Sequence, residues 1–216
     1  GTDTEGALAF TLDFDDEAGN SATTVTAVTD ATSVTFDRTI PTATSVTIVS
    51  DNADTTKAKS GDEITISFTV DDDMLATPTA TIQTKTATVA VAGAHPNYTA
   101  KYTMGGTDTE GAVAFTIDFS DEAGNVATQV TAVTSGSGVV FDETIPTATA
   151  VTIASNNADT TKAKVGDVVT ISFTVDEALL ATPTATIDTQ TATVAVDGAH
   201  PDYTATYTVQ AGDNEG

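Results

Sequence analysis

The chain contains no cysteine and no tryptophan among its 216 residues, and aromatic side chains make up 6% of it. Without cysteine no disulfide can hold the fold together, so a core must come from Val, Ile, Leu, Ala and the phenylalanines. No apolar run approaches the roughly 18 residues that a membrane-spanning helix needs. These absences predict a chain that does not insert into a membrane and that folds around an aliphatic core.

Basic residues are also scarce, with 7 Lys and Arg against 31 Asp and Glu, which gives a formal net charge of −24. Nucleic acids and anionic lipids are bound by clusters of Lys and Arg, so both are poor partners, and cations are the natural ones. Each repeat holds a single histidine, His95 or His200, in a Gly-Ala-His-Pro turn. No nucleophile or base accompanies it, and we predict that the protein is not an enzyme.

The most informative feature is internal repetition. Residues 1–105 align with residues 106–210 without a gap, and 78 of the 105 positions are identical. The stretch Phe36–Pro41 returns as Phe141–Pro146, and its proline stops a strand because it has no N–H to donate to a sheet. We therefore predict domain boundaries there: residues 1–38 are the last strands of one domain, 39–143 a complete domain, and 144–216 the first five strands of the next.

Apolar residues alternate with Thr and Ser along most of the repeat. In residues 64–70, for example, Ile, Ile, Phe and Val occupy every second position, which is typical of half-buried strands. Gly, Asp, Asn and Pro clusters separate such segments. The pattern predicts an antiparallel β-sandwich with strands near residues 46–48, 64–70, 79–83, 86–91, 98–104, 112–119 and 127–133, the last extended toward Phe141.

Several short motifs occur in a fixed order: Thr-Ile-Pro at 39–41, Gly-Asp at 61–62, Phe-Thr-Val followed by Asp at 68–71, Tyr-Thr-Ala-Lys-Tyr-Thr at 98–103 and Asp-Glu-Ala-Gly-Asn at 121–125. In this order the chain resembles, over its whole length, the bacterial immunoglobulin-like tandem repeats of large calcium-dependent surface adhesins, including biofilm and ice-binding adhesins. The resemblance implies tandem immunoglobulin-like antiparallel β-sandwiches of about seven strands each. It further implies an extracellular place at the bacterial cell surface, in the extender or shaft region.

Immunoglobulin-like connectivity would place the B–C and F–G loops where the chain enters a domain, and the A–B and E–F loops beside the next hinge. The acidic residues fall in these loops and in the hinges. At the first hinge we expect a cluster of Asp3, Glu5, Asp37, Asp71, Asp72, Asp73, Asp121, Glu122 and Asn125. At the second hinge we expect a cluster of Asp54, Asp108, Glu110, Asp142, Glu143, Asp176 and Glu177.

Carboxylates gathered in this way repel one another unless a cation lies between them. Calcium suits them because it takes 6–8 oxygen ligands in a flexible arrangement, whereas magnesium requires a strict octahedron. We therefore predict Ca²⁺ at the hinges, with ligands drawn from Asp37, Asp71, Asp72, Asp108, Glu110, Asp121, Glu122, Asn125, Asp142, Asp176 and Glu177. The alternative interpretation is that Asp and Asn collect in turns for backbone reasons alone.

Near-identical copies favour a structural spacer, whose partners are the neighbouring repeats of its own array, because a ligand-specific tip would not need them. Two alternatives stay open from the sequence. One is an adhesive module that binds sugar, ice or protein. The other is a filament subunit whose N-terminal strands complete a neighbouring chain head-to-tail. The ends in mid-domain favour a different interpretation, that these residues are a window cut from a much longer array.

Overall fold

The computed structural model describes residues 3–198 and 201–214. The chain divides into two compact units, residues 1–143 and 144–216. The division between Glu143 and Thr144 lies where the repeat places the end of the complete domain. Residues 1–38, which the sequence assigns to a preceding domain, lie in the first unit.

Every regular element in the described residues is a β-strand, so the protein is all-β, and no helix there is long and apolar enough to cross a membrane. The strands of the first unit are β1 (Gly6–Ala7), β2 (Thr35–Phe36), β3 (Ala43–Ser50), β4 (Lys57–Ala58), β5 (Glu63–Val70), β6 (Thr79–Ile82), β7 (Lys85–Thr86), β8 (Thr88–Val91), β9 (Asn97–Thr103), β10 (Gly111–Ala112), β11 (Phe115–Asp118) and β12 (Val140–Phe141). Those of the second unit are β13 (Ala148–Ser155), β14 (Val168–Val175), β15 (Thr186–Ile187), β16 (Gln190–Thr191), β17 (Thr193–Val196) and β18 (Asp202–Thr208).

Strands β3 to β12 form a two-sheet sandwich with the strand order of an immunoglobulin domain. One sheet has the antiparallel order β3-β5-β9-β8, which corresponds to strands A, B, E and D. The other side is built from the orders β11-β6-β7 and β10-β12-β4, in which β6, β11 and β12 correspond to strands C, F and G. The β4–β12 pair is parallel and joins the end of strand A to strand G.

The core lies between these sheets and follows from the period-two pattern. Ile64, Ile66, Phe68 and Val70 of β5 are all buried, while the Thr and Ser residues between them are half-buried. Successive side chains of a strand point to opposite faces, so the alternation in the sequence directly sets which face packs inward. Phe115 and Ile117 of β11 belong to the same buried cluster.

Two predicted strands are wrong in detail. The segment 86–91 is divided at Ala87: β7 pairs with β6, whereas β8 pairs with β9 in the opposite sheet. Ala87 is buried and donates its N–H to the Ala80 carbonyl. The chain therefore changes sheets at this residue, which a continuous alternating pattern cannot reveal.

The segment 127–133 is the second strand that is predicted wrongly. It forms no strand, and isolated bridges connect this part of the chain to β11 and to the residues that follow β11. Val130 bridges Ile117 and Val126 bridges Ser120, so the register shifts by one residue between the two bridges. Gln129, in the bulge, donates its side-chain amide to Asp118. After Gln129 the chain no longer pairs with strand F, and Thr134 donates its N–H to the Val46 carbonyl of strand A at 2.9 Å.

The remaining parts repeat pieces of this sandwich. Strands β1 and β2 form a hairpin with bridges between Leu12 and Val25 and between Asp15 and Ser21, which matches the β10–β12 pairing and the strand F bridges. The second unit repeats the first sheet as β13-β14-β18-β17 and the C hairpin as β15-β16. Even the register shift in β3, at Ser45 with φ 53°, recurs in β13 at Ala150 with φ 50°.

Candidate metal centre

The loop after strand F is a compact turn closed by Asp121 and Asn125. The Asp121 carboxylate accepts hydrogen bonds from the Asn125 backbone N–H and from the Asn125 side-chain amide, both at 2.8 Å. Gly124 supplies a φ of +93°, a conformation that side-chain-bearing residues rarely adopt. The turn leaves Asp121 only 1% exposed, so this carboxylate is buried.

Burial raises the pKa of Asp121, but hydrogen bonds outweigh it. The donors are the Asn125 side chain and the backbone N–H groups of Asn125, Gly124 and Ala123, and together they hold the pKa below its ordinary value of 3.8. Asp121 is therefore a carboxylate at neutral pH, although it is buried. Its negative charge is available to a cation.

The same turn forms in the N-terminal hairpin, where Asp16 and Asn20 repeat the arrangement. The Asn20 backbone N–H and side-chain amide each donate to Asp16 at 2.8 Å. In that setting Asp16 is exposed. The sequence Asp-Glu-Ala-Gly-Asn, shared by residues 16–20 and 121–125, therefore determines the turn locally. The surrounding sandwich determines whether the turn is buried.

The B–C loop brings a second carboxylate to this turn. Asp72 follows β5 and accepts a hydrogen bond from the Asp73 N–H at 2.7 Å. The Glu122 N–H donates to the Asp73 carbonyl at 3.0 Å, and Met74 bridges Asp121. These backbone contacts fasten the B–C loop to the F–G loop.

The hinge supplies a third carboxylate. Asp37 follows β2, and its side chain accepts the Thr39 N–H at 2.9 Å. The Asn125 side-chain amide also lies 3.4 Å from the Asp37 carbonyl oxygen. Asn125 therefore links the hinge to the F–G loop while it positions Asp121.

Asp37, Asp72 and Asp121 each offer one carboxylate oxygen, and these oxygens all lie within 4.8 Å of one another. Two oxygens on opposite sides of a calcium ion, each at 2.3–2.6 Å, are separated by up to about 5 Å. The spacing therefore fits a single Ca²⁺ shared by three carboxylates. Without a cation, three like charges at this distance repel one another.

Other predicted ligands at the same hinge are used differently. Asp71 accepts the Thr42 N–H at 2.7 Å and the Thr42 hydroxyl at 2.5 Å, and these bonds, the hydroxyl first, lower its pKa despite some burial. Asp71 thus fastens the start of strand A to the end of strand B. Glu122 is exposed and contributes its backbone N–H to the loop contact.

At the other end of the first unit, the predicted residues make structural hydrogen bonds. Asp108 accepts the Gly105 N–H at 2.8 Å and the Tyr102 hydroxyl at 3.2 Å. Glu110 accepts the Glu143 N–H at 2.9 Å, and Asp142 donates its own N–H to the Ala58 carbonyl. These contacts order the E–F loop and the outgoing chain.

In the second unit, Asp176 repeats the role of Asp71. It accepts hydrogen bonds from the N–H and the hydroxyl of Thr147. Glu177, the copy of Asp72, follows it and is half-buried. The sequence analysis did not predict that Thr42 and Thr147 hydrogen-bond to Asp71 and Asp176. The available signal was that both copies have Thr directly after an identical Thr-Ile-Pro.

Comparisons with known proteins add no relative: no family model, no curated protein and no solved structure matches the chain.

Proposed function

We propose that the chain is a structural spacer, a segment of the shaft of a bacterial surface adhesin or extracellular filament. A calcium ion held by Asp37, Asp72 and Asp121 would fix the hinge to the domain that follows it. The observation that carries this proposal is the convergence of those three carboxylates within 4.8 Å. They come from the hinge, the B–C loop and the F–G loop, so one ion would join three separate segments.

The rest of the chain supports a spacer in two ways. Its copies agree at 78 of 105 positions, which suits units that do the same mechanical work. The sandwich also fastens the hinge backbone at each end through side chains: the Asn125 side-chain amide donates to the Asp37 carbonyl at one end, and the Glu110 carboxylate accepts the Glu143 N–H at the other. A short hinge with such contacts has few ways to move once its charges are neutralised.

Isothermal titration calorimetry, with calcium titrated into the protein, tests the site. We expect the protein to bind Ca²⁺ with a dissociation constant in the range of extracellular modules, about 10⁻⁴–10⁻³ M. Asp121→Asn removes the buried carboxylate, and we expect it to weaken that binding at least about tenfold, because an amide oxygen is neutral.

Asp118→Asn is the matched control. Asp118 lies three residues away, is exposed and pairs with Gln129, so this variant loses the same charge outside the cluster. We expect its calcium affinity to stay within about twofold of the wild type, since exposed charges are well screened. Equal affinities for Asp121→Asn and the wild type would contradict the proposed site.

A further inference from the structure

One side of the complete sandwich ends in two consecutive edge strands. Strand β7 is last in the order β11-β6-β7, and β8 is last in the order β3-β5-β9-β8. Ala87 joins the two strands, so residues 85–91 form one continuous edge, which we call the C′–D edge. Strand F pairs on the other side of β6, so the C′–D edge is open in a complete domain.

The second unit has the same edge. Strand β17 is last in the order β13-β14-β18-β17, and β16 precedes it in the chain. Residues 190–196 therefore form the C′–D edge of the second unit. They differ from residues 85–91 at one position, where Gln190 stands in place of Lys85.

The backbone of β8 directs hydrogen-bonding groups outward. The Ala92 N–H donates to the Asn97 carbonyl at 2.8 Å, and successive residues of an antiparallel pair alternate between facing the partner strand and facing away from it. Val91 and Val89, one and three residues before Ala92, therefore direct their N–H and C=O groups away from β9.

The second unit presents the same groups. The Asp197 N–H donates to the Asp202 carbonyl at 2.8 Å, so Val194 and Val196 direct their backbone groups away from β18. The side chains of Val91 and Val196 are also 50% and 49% exposed. Each edge thus combines outward backbone groups with an exposed apolar side chain, and such an edge is a template for pairing with another chain.

The two edges differ in charge. Residues 74–107 contain no Asp or Glu, although 31 of the 216 residues are acidic, and they include Lys85 and Lys101. The equivalent residues 179–212 contain no lysine. They contain three aspartates that the first copy lacks, Asp188, Asp197 and Asp202.

This difference is one of position. Residues 39–105 and 144–210 each contain seven acidic residues, so the second copy is no more acidic than the first over this range. Glu63, which binds the Lys101 ammonium in the first unit, is replaced by Val168. The second copy therefore has its acidic residues closer to the C′–D edge.

We propose that the C′–D edge of the first unit of one chain pairs with the C′–D edge of the second unit of another copy, so that chains associate side by side. The sheets β3-β5-β9-β8 and β13-β14-β18-β17 then become one continuous antiparallel sheet, which is association by strand addition. This association goes beyond the spacer role and does not require the calcium ion, because it uses neither the hinge nor the loops around Asp121.

The outward residues assign the register of this pairing. Val89 stands opposite Val196 and Val91 stands opposite Val194, and each pair exchanges two backbone hydrogen bonds. The exposed side chains of Val91 and Val196 both gain an apolar neighbour across the junction. Because β8 has only four residues, the pairing is expected to be weak and to depend on concentration.

The same register brings opposite charges together. Asp197 stands opposite Thr88, and Thr88 is opposite Lys101 in the neighbouring strand β9. Lys101 and Asp197 therefore flank Thr88 on one face of the sheet. An ammonium has three donors, so Lys101 can bind Asp197 and keep its contact with Glu63.

Charge selects this pairing over the two alternatives. Two second-unit edges would bring the aspartates of both copies together, and like charges oppose such a contact. Two first-unit edges would offer their lysines no acidic partner from residues 74–107. The mixed pairing sets lysine against aspartate, which counteracts the general repulsion between chains of net charge −24.

Sedimentation equilibrium of the 216-residue chain measures the association, with excess chelator present so that calcium binding plays no part. We expect the mean mass to rise between micromolar and millimolar concentrations. The double variant Asp197→Ala, Asp202→Asn carries the residues of the first copy, Ala92 and Asn97, which the same fold accommodates there. We expect it to raise the dissociation constant at least about threefold.

The double variant Asp13→Asn, Asp118→Asn is the matched control. It also removes two negative charges, from exposed residues outside the C′–D edge, and so lowers the overall repulsion between chains by a similar amount. We expect its dissociation constant to be equal to that of the wild type or lower.

Cysteine cross-linking tests the register, and the chain has no cysteine of its own to interfere. In the proposed register Ala90 and Ala195 are directly opposed, with Cα atoms about 4.5–5.5 Å apart, which suits a disulfide. Ala90→Cys is mixed with Ala195→Cys and oxidised mildly, and a tag on one variant distinguishes mixed from like disulfides by mass. Ala154→Cys, an exposed position in β13 at the other edge of the same sheet, replaces Ala195→Cys in the control mixture.

We expect the mixed disulfide of Ala90→Cys and Ala195→Cys to form at least about threefold faster than either like disulfide and than the mixed disulfide of the control. Three results would overturn the proposal. They are a monomer throughout the concentration range, equal dissociation constants for the two double variants, and a mixed disulfide that forms no faster than the like disulfides or the control.

Discussion

At the scale of single residues, carboxylates in this protein organise loops, and only a few remain available to an ion. Asp62 is a clear example of the first kind. It accepts hydrogen bonds from the Asn52 side-chain amide at 2.7 Å and from the Lys59 N–H at 2.9 Å, and the Lys59 ammonium lies 3.5 Å away. Asn157, Asp167 and Lys164 repeat the hydrogen bonds in the second unit. Asp37, Asp72 and Asp121 also accept hydrogen bonds within their loops, and in addition one oxygen of each converges on one point.

Asp62→Ala tests how much such a loop carboxylate contributes. Burial raises the pKa of Asp62. The hydrogen bonds from Asn52 and Lys59 and the charge of Lys59 outweigh this effect, so the pKa lies below its ordinary value of 3.8. Because the folded pKa lies below the unfolded one, the stabilisation is present at neutral pH and is lost as the pH falls through the folded pKa. We expect the variant to be less stable by about 1–3 kcal/mol at pH 7.

Urea denaturation at pH 7 and at about pH 2.5 measures both parts of this prediction. The difference between the wild type and Asp62→Ala should shrink at the lower pH. Asp118→Ala, on an exposed carboxylate, serves as the control and should change stability by less than about 0.5 kcal/mol. A difference for Asp62→Ala that is the same at both pH values would show that charge plays no part in it.

At the scale of the strand, identical sequences have different energetics because their surroundings differ. Residues 115–118 of strand F and residues 10–13 of the hairpin differ in one residue, yet Phe115 and Ile117 are buried whereas Phe10 and Leu12 are exposed. Burying a large aliphatic side chain contributes about 1.5–3 kcal/mol. The contribution of each side chain to folding stability therefore depends on whether a sheet covers it.

Ile117→Ala and Leu12→Ala form a matched pair that measures this difference within one chain. We expect Ile117→Ala to destabilise the first unit by about 2–5 kcal/mol, because it leaves a cavity in a packed core. Leu12→Ala should cost less than about 0.5 kcal/mol, because Leu12 is exposed. Thermal unfolding of both variants checks this, and equal losses would contradict the burial that separates the two strands.

The elements also show how far the sequence alone determines the fold. The alternation in residues 64–70 predicts β5 and its buried face directly, because one property, side-chain direction, decides both. The division at Ala87 and the departure of residues 131–138 from strand F escape prediction. Both depend on which neighbouring strand accepts a backbone hydrogen bond. Ala and Ser-Gly sequences are compatible with pairing in either sheet.

The candidate site was predictable to a similar degree. Loop placement from strand order predicts that Asp37, Asp72 and Asp121 gather at one end. It does not predict that Asp71 is taken by Thr42 or that Glu110 is taken by the Glu143 N–H. All of these are acidic residues in or beside loops, and only three-dimensional placement distinguishes an internal hydrogen bond from an open ligand.

At the scale of the whole molecule, the repeat, the net charge and the candidate ion are connected. A formal net charge of −24 on 216 residues favours separation of neighbouring domains unless cations neutralise the junctions. For a site with a dissociation constant of about 10⁻⁴–10⁻³ M, calcium at about 1 mM stabilises the bound form by about 0.4–1.4 kcal/mol. Millimolar calcium would then stiffen each junction, and its removal would release it.

X-ray scattering from an array of several of these 105-residue repeats, measured with calcium and then with excess chelator, tests whether calcium stiffens the junctions. We expect the maximum dimension to fall when calcium is removed and to recover when it is restored. An array with Asn in place of every Asp121 equivalent should behave like the chelated wild type under both conditions. A scattering curve that chelation leaves unchanged would show that calcium does not stiffen the junctions.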